Sequence, residues 1–170
     1  MGTGGRRGFT LLEVMVAMGL VGVVGLSFAH LYVNSQRYLT QSILVSETQG
    51  EASFAMEHIK RQLLNAVALA VPPEGAPPPQ TTTLNFTVQR RIVIPPENIN
   101  AQYQLNGTTL MYFEAGGGFI PIARNITAIT FTRNSRTQLG VVIIARRQTA
   151  PGGDVGQTRL EAVINLRGML

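Results

Sequence analysis

The chain contains no cysteine, which removes disulfides, thiolate metal ligands and a thiol nucleophile from consideration. Acids and lysines are scarce as well. Asp154 is the sole aspartate, Lys60 the sole lysine, and arginine carries almost all of the +5 balance. Beyond the first 70 residues the carboxylates Glu74, Glu97, Glu114, Asp154 and Glu161 stand singly, with no H-E-x-x-H, no G-x-S-x-G and no metal-ligand spacing. "EAGGGF" lacks the Lys-Ser/Thr of a phosphate loop, and "PGGDVG" offers one carboxylate where a calcium site needs several. The chain reads as a non-enzyme without metal or cofactor.

Charge is also missing from the N-terminal run. From residue 9 to residue 29 the only ionisable side chain is Glu13, and the apolar character continues to residue 33 with one interruption at His30. Roughly 20 residues cross a hydrocarbon layer of ~30 Å, so the run is long enough to span a membrane. Arg6 and Arg7 precede it, and the next charge after Glu13 is Arg37. The positive-inside bias then places the N-terminus in the cytoplasm and the bulk of the chain outside it. An ordinary secretory signal has small residues in an A-x-A-like arrangement after the apolar stretch. Here Ser27 to His30 match poorly, whereas Gly8 sits directly between the basic pair and the run.

A carboxylate in a membrane helix costs about 2.5–3.5 kcal/mol at the bilayer centre and less near the end, and is retained by default for function. Glu13 lies within a turn of the helix start, where the backbone dipoles favour negative charge. Its position is tolerable, and its function calls for a partner. Gly19, Gly22 and Gly25 recur at every third residue, which is not the small-xxx-small spacing of a helix-pairing motif and reads as ordinary membrane-helix glycine.

These residues, "RRGFTLLEVMVAM", resemble the prepilin leader and mature N-terminus shared by type IV pilins and the pseudopilins of type II secretion. The resemblance implies a leader over residues 1–8, cleavage by a prepilin peptidase between Gly8 and Phe9, and methylation of the new amine on Phe9. It implies that Glu13, the fifth residue of the mature chain, registers one subunit against the next by meeting the amine of a neighbour, since an acid in an apolar bundle is best neutralised by such a charge. The implied partners are the peptidase, other minor and major pilins or pseudopilins, and the bacterial inner membrane before assembly into a pilus or pseudopilus. Removal of the leader takes Arg6 and Arg7 with it, so the remaining positive excess is too small to argue for nucleic acid by itself.

Proline is absent from residues 36–70, and Leu39, Ile43, Ala52, Met56, Ile59, Leu63, Ala66 and Ala70 fall at spacings near three and four. The spacing predicts one helix over 9–70, transmembrane over 9–33, with His58 on its polar face. "VPPEGAPPPQ" cannot be helical and reads as a linker over 71–83, a stiff connection more than a ligand for a polyproline reader. The period then becomes two, in runs at 84–94, 101–105, 108–113, 126–132, 139–147 and 159–167. Asn106-Gly107 marks a tight hairpin turn and "RNSRTQ" a looser one. The expected fold is α+β: a long N-terminal helix whose second half packs on an antiparallel β-sheet head over 84–170.

The series "AQYQLNGTTLMYFEAGGGFIPIARNITAITFT" and the closing "AVINLRG" are similar to the heads of J-type minor pseudopilins and W-type minor pilins. The missing pair of C-terminal cysteines, common in major pilins, agrees with a minor subunit. The expected function is to initiate or cap a type IV pilus or a type II secretion pseudopilus.

The alternative is a DNA-binding tip pilin. Arg90-Arg91 and Arg146-Arg147 each put one guanidinium on either face of a strand, so two facing strands would make a basic stripe for phosphates. No clustered aromatics accompany the pairs for base stacking, which favours solvated strand ends or contacts to acidic subunits. A signal-anchored enzyme is the least supported reading.

Overall fold

The computed structural model describes residues 10–72, 80–90, 97–149, 153 and 155–166. One helix, α1 (Leu11–Leu63), precedes nine strands: β1 (Ala66–Val71), β2 (Gln80–Thr81), β3 (Thr83–Arg90), β4 (Glu97–Asn106), β5 (Thr109–Glu114), β6 (Ile120–Ala123), β7 (Ile126–Ser135), β8 (Gln138–Gln148) and β9 (Val155–Asn165). All strand pairs are antiparallel, in two sheets of order β1-β3-β4-β5-β6 and β2-β7-β8-β9. The α+β class expected from the sequence is what the chain adopts.

The chain divides into two compact units, Met1–Thr40 and Gln41–Leu170. In the first, every described residue except Asn34 is exposed. Leu11, Leu12, Met15, Met18, Val21 and Leu26 present their side chains outward with nothing of their own unit to cover them. By length and composition α1 can cross a membrane.

In the second unit the helix is anchored. Leu44, Thr48, Ala52, Ala55, Met56, Ile59 and Leu63 are buried, recurring at intervals of three and four along one face. Ala52, Ala55, Met56, Ile59 and Leu63 join Leu84, Phe86, Tyr103, Leu110, Ile126, Ile129, Phe131, Leu139, Val141 and Ile143 in one core fed by both sheets. The strands supply those residues by alternation. The burial of β8, for example, switches at every residue from Leu139 to Ala145.

The buried face begins at Leu44, not at the expected Leu39 and Ile43, which are exposed. Gly156 on β9 explains the shift. A Cβ there would lie 2.6 Å from the backbone carbon of Leu44, so the helix rests on a strand position with no side chain. Beside that contact the Thr48 and Thr158 hydroxyls bond at 3.2 Å.

The helix stops at Leu63 instead of continuing to residue 70. "AVALAV" satisfies helix spacing, but as β1 it pairs with β3 from Ala66 opposite Val88 to Val71 opposite Asn85. Pro72, which no helix interior tolerates, follows at once. Three short strands outside the expected runs, β1, β2 and β6, complete the sheet edges. Pro121 inside β6 is allowed because β6 ends its sheet. The hairpin at Asn106-Gly107 forms, with Gly107 at φ +60°, and the looser turn joins β7 to β8. Residues 73–79 of the expected linker and 91–96 after β3 lie outside the described residues.

Candidate functional site

The start of α1 carries the most specific chemistry. Glu13 Oε2 accepts the Thr10 backbone N–H at 3.0 Å and the Thr10 hydroxyl at 3.2 Å, while the Glu13 backbone N–H donates to the Thr10 hydroxyl oxygen at 3.3 Å. This reciprocal arrangement is a capping box: Thr at the N-cap and Glu three residues on each satisfy a donor that the first turn leaves without a partner. Val14 N–H closes the first turn onto the Thr10 carbonyl at 3.3 Å. Glu13 therefore has a partner within its own chain, which the sequence reading left open. The Thr-Leu-Leu-Glu spacing just before an apolar run was the available signal.

Below the cap, Glu13, Val14, Ala17, Met18, Val21 and Gly22 line a shallow apolar groove on one helix face. The carboxylate sits at its upper end. A Cβ at Gly19, Gly22 or Gly25 would meet no atom within 4 Å, so nothing within the chain requires glycine at these positions. Gly8 and Phe9 lie outside the described residues.

Arg90 and the Arg146-Arg147 pair lie in different sheets. Arg90 ends β3, with Glu97 of β4 as its strand partner, and Arg91 lies outside the described residues. Arg146 and Arg147 are exposed on β8, in the other sheet, and Arg147 is ion-paired with Glu47 of α1. The strands that carry the two pairs are not neighbours.

His58 is half-buried instead of lying on the solvated face. Its Nδ1 is 2.6 Å from the Tyr103 hydroxyl, and its ring stands edge-on to Tyr103 and Tyr112 at 5.9 and 5.3 Å. The tyrosines come from β4 and β5, 45 and more residues away, so local spacing carried no hint of them. Desolvation first, and the nearby Arg61 second, hold the imidazole pKa below its ordinary value. Burial, with Tyr112 alongside, pushes the Tyr103 phenol far above its own, so both partners are neutral around pH 7. Phe86 stacks on the far face of Tyr103 with ring centroids 5.7 Å apart. This cluster clamps helix to sheet. Among the described residues, no group of three or more His, Cys, Asp or Glu side chains is placed to hold a metal.

The prokaryotic N-terminal methylation motif matches residues 4–29. It takes in Gly8, Phe9, Thr10, Glu13 and most of the exposed apolar helix. Neither the curated proteins nor the solved structures contain a match to this chain. The chain thus carries a type IV pilin-type leader, which implies processing by a prepilin peptidase and assembly with other pilins, and agrees with membrane anchoring through the apolar helix.

Proposed function

We propose that the protein is a minor pilin or minor pseudopilin, a structural subunit that helps initiate or cap a type IV pilus or a type II secretion pseudopilus. The observation that carries this reading is the methylation motif over residues 4–29 running into a capped, fully exposed apolar helix. In this account the precursor sits in the inner membrane with its head outside the cytoplasm. The peptidase cuts between Gly8 and Phe9, and the new amine on Phe9 is methylated.

Cleavage leaves Phe9 one residue ahead of the Thr10 cap. In lipid, the bonds from Thr10 meet part of the hydrogen-bonding demand of the Glu13 carboxylate and lower the cost of holding it there. On extraction, the groove beneath Glu13 exchanges lipid for a neighbouring helix. The cationic Phe9 amine of that neighbour supplies the opposite charge that fixes register. The head, held to its helix by the buried face from Leu44 to Leu63, makes lateral contacts with other minor subunits. The absence of cysteine agrees with a minor rather than a major subunit.

The test is complementation of a strain lacking this protein. Gly8→Ala is expected to give an unprocessed precursor that stays in the membrane fraction and supports no filaments. Glu13→Ala is expected to be cut yet to assemble poorly. Full filament formation by both variants would refute the reading.

A further inference from the structure

The outward face of the five-stranded sheet is chemically unusual for a solvated surface. Side chains alternating with the buried residues of β3 and β4 pair across the strands as Thr83 with Gln104, Asn85 with Gln102, Thr87 with Asn100 and Gln89 with Asn98. All are amides or hydroxyls and none is charged, whereas a face that meets only water is normally interspersed with charged side chains. The rows continue onto β5, where Met111 stands opposite Gln104 and Phe113 opposite Gln102. The Phe113 ring packs 5.2 Å from that of Phe119, giving the amide rows an aromatic border.

Within these rows lies an open groove of about 300 Å³, lined by Ala70, Asn85, Thr87, Asn100, Gln102 and Phe113. The Thr87 hydroxyl donates to Asn100 Oδ1 at 3.2 Å, which fixes one amide. The Asn85 amide oxygen is buried with no hydrogen-bond partner, an acceptor the fold itself leaves unused.

We propose that this face binds a neutral polysaccharide built of N-acetylhexosamine units. Asparagine and glutamine amides each offer donors and an acceptor, which suits sugar hydroxyls and acetamido groups that do the same. The Phe113 ring supplies an apolar plane for the C–H face of a pyranose. The groove is at the small end of ligand sites, so it takes one sugar unit, with neighbouring units of the chain lying along the amide rows. Among the described residues these rows carry no charge and so give no electrostatic attraction to phosphates or sulfates, which sets this ligand apart from nucleic acid and anionic glycans. A protein partner would be anchored by a central cluster of large aromatic or arginine side chains; of the two aromatics lining the groove, Phe86 is buried in the core, which leaves Phe113 alone to serve as an anchor. The proposal goes beyond the assembly role and does not depend on it.

The test uses the full chain in micelles of a detergent without a sugar headgroup. It is titrated with chitohexaose, with heparin and a DNA oligonucleotide as anionic controls, and binding is read by calorimetry and by amide chemical shifts. Chitohexaose is expected to bind with an affinity that changes less than twofold between about 0.05 and about 0.5 M salt. The shifts should be confined to β3, β4 and β5. Asn100→Ala combined with Gln102→Ala should weaken binding at least tenfold, and Phe113→Leu should do so separately. Both variants are checked for an unchanged unfolding midpoint, and Asn100→Ala alone serves if the double variant unfolds. No chitohexaose binding, equal binding by the folded variants, or salt-sensitive binding of heparin or DNA in its place would overturn the proposal.

Discussion

Residues 11–40 and residues 41–63 are both helical, yet they solve opposite problems. The later segment shows the core a stripe of Leu44, Thr48, Ala52, Met56, Ile59 and Leu63, and is half covered by its own chain. The earlier one is apolar on every side as far as residue 33, and apart from Asn34 all of its described residues are exposed. A continuous apolar surface of that extent is not left to water, and a helix that is hydrophobic all round is a buried one. No described residue of the unit Met1–Thr40 supplies that cover.

The sharpest probe of this contrast pairs a head substitution with one in the exposed helix. Tyr103→Ala removes a fully buried ring and the hydroxyl partner of His58, and is expected to lower head stability by about 3–5 kcal/mol. Leu20→Ala, at a site 63% exposed, should leave the urea midpoint of the detergent-solubilised chain unchanged. Equal shifts for the two would break the division between the regions.

Glycines sharpen it in the same way. Gly156→Val drives side-chain atoms into the Leu44 backbone and should cost about 1–3 kcal/mol, with exposure of Leu44 and Thr48 to amide exchange. Gly19→Val meets open space and should cost the head nothing. At the cap, Thr10→Ala is expected to weaken the first turn by about 1 kcal/mol, seen as faster amide exchange at Leu12 and Glu13 with no change in head unfolding.

The smallest expected effect is a pH dependence of the head alone. Because the His58 pKa is lowered in the fold, the unfolded chain binds the extra proton first as pH falls. The stability contribution of neutral His58 is complete above about pH 6.5 and is lost as pH drops through the folded value. The groups around the ring are Arg61 and Phe54 on the helix and Tyr103 and Tyr112 on the sheet, with Glu114 accepting from Tyr112 at 3.5 Å. His58→Gln should flatten the unfolding midpoint between pH 7 and pH 5 relative to the parent protein. An identical slope would remove His58 from the account.

What could be read from the sequence follows the range of each signal. The apolar run, the acid at its head, the Asn106-Gly107 turn and the alternation of β4, β7 and β8 are local patterns and were legible. The capping box is equally local, a threonine and a glutamate three apart just before an apolar run. The end of the helix was not legible, because "AVALAV" suits either structure until β3 arrives to pair with it. The His58 clamp and the seat of Leu44 on Gly156 join residues far apart in the chain, and no spacing rule reports them. The same limit applies to Arg90 and the Arg146-Arg147 pair, whose assignment to separate sheets depends on topology.

The measurement that tests the central claim most directly is the intact mass and N-terminal sequence of the protein recovered from membranes with and without a prepilin peptidase, with Gly8→Ala as control. The account predicts a chain beginning at methylated Phe9 only when both the peptidase and Gly8 are present. A chain that keeps residues 1–8 under every condition would contradict it, and would leave the Thr10–Glu13 cap as the start of an ordinary membrane anchor.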